Sequence, residues 1–358
     1  MVWADYISLE YGKPVKDKES SDGPVPVYGT NGQIGTSHQP PLCKIPSFIV
    51  GRKGAYRGVH YSPVPFSVID TAFYALPLTD KVNMKWAYYK FLTYDINRMD
   101  SGSAIPSTDR YELYKIPVEI PDMDIQRKIV AVLDSFNEKI ATNVAINANL
   151  LLEAGAVFDK AYEESSNTQP FTSLINVLGG GTPKTGNPDF WDGAIPFFTP
   201  KDVGAPYTFQ TEKYITESGL DHCNSRLYQK DTTFVTARGT VGKVSLAGTP
   251  MAMNQSCYAL ASETIDPLLV YFYVLKAVAS LKHKASGAVF DAIVTRDFDS
   301  ETINILSDDD SNAVLSIIKP MMETIHNNSA ENMRLAALRD SLLPRLMSGE
   351  LDVSGLDI

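Results

Sequence analysis

Hydrophobic positions along the chain follow two patterns, and each pattern occurs twice. The first is a helical seam. Ile129, Leu133, Phe136, Ile140, Asn143, Asn147, Leu150, Ala154, Val157 and Ala161 follow one another in alternating steps of four and three, the heptad spacing at which two helices interlock. Val314, Ile318, Met321, Ile325, Asn328, Asn332, Leu335, Arg339, Leu342 and Leu346 do the same, each 185 residues after its counterpart (314 − 129 = 185). One heptad run also fits an ordinary amphipathic helix. Recurrence at a constant offset, polar positions included, points to internal duplication. Antiparallel pairing about the seam centres sets Asn143 against Asn332 and Asn147 against Asn328, so each polar group has a polar partner and register is fixed at some cost in stability. Parallel pairing also matches asparagines. Chain geometry favours the antiparallel form, in which the segments preceding the helices lie at opposite ends of a rod of about 33 residues, ~50 Å long.

The second pattern is a series of short β-branched and aromatic runs broken by glycine and proline. In residues 1–121, Pro26–Gly32 ends in an Asn-Gly turn, a hairpin signal. Phe48-Ile49-Val50 leads through Gly51-Arg52-Lys53-Gly54-Ala55-Tyr56-Arg57-Gly58 into Val59-His60-Tyr61-Ser62, Val68–Leu76 reads as one further core strand, and Met84–Met99 has helical spacing. Residues 166–307 repeat this plan: Thr233–Val244 carries a second strand, Arg-Gly turn and strand, and Cys257–Leu260 echoes Phe73–Leu76. Arg52 and Arg238 lie 186 residues apart (238 − 52), and Ser101-Gly102 and Ser286-Gly287 lie 185 apart (286 − 101). The first long helix starts near Asp122 or Asp124, whose carboxylates suit a helix N-terminus. In the second, Pro320 is expected to kink the helix or mark the start of its main segment, and Gly349 to stop it.

Composition changes this picture little. The chain has 358 residues, 44% of them hydrophobic, and a net charge of −10, which argues against wrapping a polyanion with the whole surface but allows a local basic patch. Cys43, Cys223 and Cys257 are an odd, scattered set, and five histidines show no ligand spacing; free thiols in a reducing compartment follow, and no metal site. The start lacks a signal-peptide pattern, and no apolar stretch is expected to reach membrane-spanning length.

The two Arg-Gly turns are the main candidates for chemistry. Glycine allows close approach to phosphate, and Arg52, Lys53, Arg57, Arg238 and Lys243 supply charge and bidentate donors. An arginine on such a loop can also grip O6 and N7 of guanine. The plainer reading is a hairpin turn with solvated cations; two equivalent loops on a two-lobed scaffold favour DNA. Lys13, Tyr28, Asn31, Tyr56, Lys184, Lys201 and Thr240 join the candidate contacts, and Asn254 can bond an adenine edge or satisfy backbone groups. Phe136, Ile140, Asn143, Asn147, Leu150, Ile325, Asn328, Asn332 and Leu335 are the candidate pairing residues. Gly179–Lys184 lacks a P-loop ending, Asn187-Pro188-Asp189-Phe190 departs from the Asn-Pro-Pro-aromatic methyltransferase motif at its third position, and no catalytic set stands out.

At these residues the chain resembles the specificity subunits of type I restriction-modification enzymes. The resemblance is carried by Pro-Val-Tyr-Gly-Thr-Asn-Gly at 26–32, Ile-Val-Gly-Arg-Lys-Gly at 49–54, Ile-Asp-Thr-Ala at 69–72 and Ser-Gly-Ser-Ala at 101–104. Further stretches are Ile-Pro-Asp-Met-Asp-Ile-Gln-Arg-Lys-Ile at 120–129, Gly-Gly-Thr-Pro at 180–183, Asn-Pro-Asp-Phe-Trp at 187–191, Thr-Pro-Lys-Asp at 199–202 and Ser-Leu-Leu-Pro-Arg-Leu-Met-Ser-Gly-Glu-Leu at 341–351. It implies an α+β fold: two β-rich target-recognition domains related by pseudo-twofold symmetry, separated by two long helices forming an antiparallel coiled coil. The expected parts are recognition domain 1 (1–121), a central helix (122–165), recognition domain 2 (166–307), a C-terminal helix (308–350) and a tail (351–358).

The resemblance further implies a non-catalytic, cytoplasmic subunit, without membrane partners, whose two domains each read half of a bipartite target in double-stranded DNA, about one helical turn or ~34 Å apart. The helices would set the spacer and dock two methyltransferase (M) subunits. The chain itself would bind no cofactor; S-adenosylmethionine would belong to the methyltransferase subunits, and ATP and Mg2+ to restriction (R) subunits. The alternatives are a stand-alone DNA adenine methyltransferase and a two-lobed protein-binding scaffold.

Overall fold

The computed structural model describes residues 1–99, 106–204, 206–284 and 292–357. The Ser101-Gly102 and Ser286-Gly287 correspondence, and the 101–104 stretch, lie outside the described residues. The chain divides into two compact units, Met1–Ile140 with Arg334–Ile358, and Ala141–Met333.

In the first unit the strands are β1 (Ile7–Tyr11), β2 (Val25–Gly29), β3 (Gly32–Ser37), β4 (Ser47–Gly51), β5 (Val59–Ser62), β6 (Ser67–Val68) and β7 (Ala72–Pro77). Helices α1 (Met84–Leu92) and α2 (Arg110–Lys115) follow, and α3 (Met123–Glu164) begins in this unit. One sheet has the order β1-β7-β4-β5 and a second the order β3-β2-β6. The run read as a single strand over Val68–Leu76 is therefore two strands in two sheets, separated by the turn at Ile69-Asp70-Thr71. The Asn83 carboxamide caps α1, accepting from the amides of Lys85 and Trp86 at 2.9 and 3.1 Å, which satisfies two of the donors a helix start leaves open. Trp3, Trp86, Phe48 and Phe91 then form a core with Ile129 and Leu133 of α3 and with Leu346 and Met347.

The second unit contains β8 (Thr168–Pro170), β9 (Asn176–Gly179), β10 (Trp191–Phe198), β11 (Tyr207–Thr208), β12 (Tyr214–Ile215), α4 (Glu217–Asp221), β13 (Thr233–Thr236), β14 (Val244–Ala247), β15 (Ala252–Met253) and β16 (Cys257–Ala261). It continues with α5 (Pro267–Lys284), α6 (Thr295–Asp299), β17 (Thr302–Asn304) and the start of α7 (Asp308–Met347). Its main sheet, β11-β14-β13-β16-β9, repeats the first unit's order with one strand added at the β14 edge. Register repeats as well: Val50 opposes Phe73, and Val235 opposes Tyr258 (235 − 50 = 258 − 73 = 185). Phe158 of α3 stacks on Phe272 of α5 at 5.2 Å, within a core that includes Ile318 and Ile325 of α7.

Within each unit α3 and α7 run antiparallel. In the second unit Asn143 donates to Asn332 Oδ1 and Glu331 Oε2, both at 2.8 Å, and Asn328 donates to Asn147 Oδ1 at 2.8 Å. In the first, Arg339 donates to Asn137 Oδ1 at 2.7 Å. Ile129, Leu133, Asn143, Asn147, Ala154, Val314, Ile318, Ile325 and Leu346 are buried; Phe136, Ile140, Leu150, Asn328, Asn332 and Leu335 are half-buried. The seam drifts at one end, where Phe158 and Met322, one position past Val157 and Met321, are the fully buried side chains. There the helices face the β-rich core as well as each other.

Two expectations change and one stands. Pro320 does not delimit α7, which runs unbroken from Asp308 and starts with three aspartates in its first turn and the Ser307 hydroxyl on the Asp310 amide at 3.1 Å, a favourable end for a helix dipole. By length and composition, α3 is apolar enough to cross a membrane, contrary to the sequence reading. Its interior asparagines, however, are spent on asparagines of α7. Cys43 and Cys257 are buried and Cys223 half-buried, and all three are free thiols.

Candidate nucleic-acid interface

The two units build their candidate loops on one backbone skeleton. In the first, the Arg52 and Lys53 amides donate to Thr71 O at 2.8 and 3.1 Å, and Thr108 N donates to Arg52 O at 2.8 Å. In the second, the Ala237 and Arg238 amides donate to Ser256 O at 2.8 and 3.3 Å, and Ile293 N donates to Ala237 O at 2.9 Å. Lys53 bridges to Ser107, and Arg238 to Ala292. Every pair is separated by 185 positions (238 − 53 = 292 − 107 = 185). The structural counterpart of Arg238 is thus Lys53, and that of Arg52 is Ala237. Matching arginine to arginine at an offset of 186 misplaces the loop by one residue. The next residue is glycine in both, Gly54 at φ 128° and Gly239 at φ 81°, a left-handed backbone that ordinary side chains avoid.

The skeleton is also shared where β1 and β9 end. A Cβ on Gly12 would stand 2.0 Å from Ile69 O, and one on Gly180 would stand 2.3 Å from Asn254 O. Only glycine allows this approach, and it makes Asn254 the counterpart of Ile69 (254 − 69 = 185).

In the second unit, a 440 Å³ cavity brings together three of the sequence candidates, Lys201, Arg238 and Asn254. Its wall adds Trp191, Glu212 and Lys213, which the sequence reading missed. Lys213 Nζ lies 5.4 Å from the Trp191 ring, a cation–π distance. Lys201 pairs with Glu212 at 3.6 Å, both well exposed. Asn254 turns its Oδ1 to the Ser256 amide at 3.0 Å, so its Nδ2 is the group open to a ligand. Thr240 is exposed and donates to Pro200 O at 3.2 Å. Lys184 and Lys243 are exposed but do not line the cavity.

In the first unit, Lys13, Asn31, Lys53 and Tyr56 are exposed, Tyr56 at 66%. Asn31 is oriented by Thr30 O at 3.3 Å and Tyr56 O at 2.8 Å once its amide is set to donate. Arg52 is half-buried, donating to Asp70 O at 3.2 Å with its guanidinium 4.8 Å from the Tyr11 ring. Among the described residues, Lys13, Arg52, Lys53, Lys184, Arg238 and Lys243 have no carboxylate partner in an ion pair.

Two candidates are removed. Arg57 is 1% exposed. Its guanidinium donates to the carbonyls of Gly54 at 3.2 Å, Ile96 at 3.2 Å and Asn97 at 2.8 Å, so it ties the loop to the turn after α1 and has no face left for DNA. Tyr28 is buried on β2 with its ring 5.7 Å from Phe66, in the place that Phe198 fills in the second unit (Ile69 N to Tyr28 O and Asn254 N to Phe198 O, both 3.0 Å).

The architecture defines a duplicated α+β protein: two β-rich units, each with a cation on the same glycine-turned loop that has no carboxylate partner among the described residues. The chain belongs to the type I restriction modification DNA specificity domain family, whose model matches residues 9–152 and 166–335. It is 26% identical over 162 residues to the type I restriction enzyme MjaIX specificity subunit of Methanocaldococcus jannaschii, covering 44% of this chain and 38% of that protein. It is 26% identical over 207 residues to the EcoR124I/EcoR124II specificity subunit of Escherichia coli, covering 54% and 51%. The matched stretches thus span about half or less of these curated relatives. In fold it is similar to the S subunit of a type I restriction-modification system from M. genitalium, with a TM-score of 0.64 at 15% identity over 99% of this chain and 96% of that one.

Proposed function

We propose that this chain is the DNA-reading subunit of a type I restriction-modification assembly, each unit reading one half of a bipartite target. The observation that carries the reading is the repeated loop: Lys53 and Arg238 occupy one backbone position in two units, exposed and without a carboxylate partner among the described residues. A cation at an equivalent place in both halves suits the part of DNA that is the same in both half-sites, the phosphate backbone. Side chains that differ between the halves are then available for base edges. The paired helices act as the spacer and as the dock for two methyltransferase subunits. S-adenosylmethionine belongs to those subunits, and ATP and Mg2+ to a restriction subunit. The chain performs no chemistry itself and acts where chromosomal DNA lies, in the cytoplasm.

The test is methylome sequencing of cells that carry this chain with its methyltransferase subunit. A split adenine-methylated motif that disappears when the chain is deleted is the expected result. An unchanged methylome, or S-adenosylmethionine binding by the isolated chain, contradicts the reading.

A further inference from the structure

Arg52 is not alone at its site. The guanidinium of Arg110, at the start of α2, also lies 4.8 Å from the Tyr11 ring, and 5.1 Å from the ring of Tyr111. Its Nη1 donates to Leu9 O at 3.2 Å and its Nη2 to the Tyr111 hydroxyl at 3.3 Å. Its Nε is buried without a partner. Two like charges therefore meet on one aromatic ring, and among the described residues no carboxylate pairs with either. The ring holds both cations by cation–π contact and leaves their positive charge available to an electron-rich ligand. Tyr11 and Tyr111 remain 43% and 56% exposed, so the stack is open to one.

The second unit lacks the whole device. By the shared skeleton, Arg52 corresponds to Ala237, Tyr11 to Gly179 and Arg110 to Thr295 (237 − 52 = 295 − 110 = 185), with Tyr11 opposite Phe73 and Gly179 opposite Tyr258. All three members are replaced at once by residues that cannot stack or carry charge, while the neighbouring cation, Lys53 or Arg238, is kept. A phosphate contact would be needed in both halves. A contact present in one half only suits the part of the target that differs.

We infer that the Arg52–Tyr11–Arg110 stack is the base-reading element of the first unit and selects a guanine in the half-site that unit reads, while Lys53 and Arg238 hold phosphates in both. This rests on the proposed function. The chemistry follows from the stack: the Tyr11 ring, held by Arg110, fixes the plane of the Arg52 guanidinium, whose bond from Nη1 to Asp70 O leaves the Nε and Nη2 edge to grip guanine O6 and N7 together.

The experiment uses the full chain with its methyltransferase subunit and reads the methylated motif in cells. The variants are Arg110→Lys, which keeps charge but loses the planar fork, Tyr11→Leu and Lys53→Gln. Expected for Arg110→Lys and Tyr11→Leu is a loss of guanine preference of about tenfold or more at one position, in the half-site that Arg52→Gln also changes, with the other half intact. Lys53→Gln is expected to lower methylation at all sites with the motif unaltered. Melting curves identify any variant that fails to fold, and Arg52→Gln, on a loop rather than at a helix start, then carries the test. An unaltered motif in the folded variants overturns the inference, as does a half-site without guanine or a uniform loss like that of Lys53→Gln. If deleting the chain leaves the methylome unchanged, the proposed function has failed instead.

Discussion

Arg57 offers the sharpest check on the distinction between a cation that faces DNA and one that holds the fold. Arg57→Met keeps most of the packed stem and removes three charge-assisted bonds to the carbonyls of Gly54, Ile96 and Asn97. At about 1.5 kcal/mol each, the bonds are worth roughly 4–5 kcal/mol. The guanidinium no longer has to be desolvated, which returns about 2 kcal/mol. The expected net loss is about 2–3 kcal/mol, or a fall of about 5–10 °C in the melting transition of a unit this size. Calorimetry on the full chain measures the shift, and DNA binding measured well below the transition shows whether affinity changes. Wild-type melting combined with weakened DNA binding would refute the assignment and return Arg57 to the interface.

Other outcomes follow from the same geometry. Asn328→Ala leaves Asn147 Oδ1 without its 2.8 Å donor and should cost about 1–3 kcal/mol; Asn147→Leu with Asn328→Leu should recover most of it, and urea titrations of the single and double variants give the coupling. Gly12→Ala and Gly180→Ala each place a Cβ on a backbone carbonyl and should destabilise their units on the order of 3–5 kcal/mol, whereas Gly179→Ala, which meets nothing within 4 Å, should leave the melting curve in place. Burial holds the His60 imidazole below its ordinary value of 6.5. The unfolded chain therefore takes up this proton first, so the first unit should lose stability as pH falls below about 6.5, and His60→Asn should flatten that dependence in melting curves taken from pH 7.5 to 5.5.

The long helices were legible because their evidence is redundant: ten positions recur at one offset, and asparagines fall where antiparallel pairing needs them. The sheets were legible only in part. Val68–Leu76 is apolar except at Asp70-Thr71, and that single polar pair, without glycine or proline, is too weak a mark of the turn where the chain passes from β6 to β7. The parallel pairing of β2 with β6 is set by long-range packing and leaves no periodic signal. Side-chain roles were the least legible. Arg57 and Lys53 both follow glycine-rich turns, and only the carbonyls of Ile96 and Asn97, some forty residues away (97 − 57 = 40), turn the first inward. Matching Arg52 with Arg238 by residue type missed the one-residue difference that the backbone hydrogen bonds reveal. Arg110 carried no signal, because its importance lies in Tyr11 on a distant strand.

The division into units has a consequence for how the chain is made. Residues 141–333 are contiguous, so the second unit can close as soon as they have left the ribosome. The first unit is interrupted by the second: its α3 segment waits for Arg334–Ile358, which supply Leu346, Met347 and Val353 to its core and the Met347 carbonyl to Lys90 Nζ at 2.8 Å. A nascent chain halted after Met333 would hold one finished unit and one with an open apolar flank, which makes the earliest-synthesised half the last to mature.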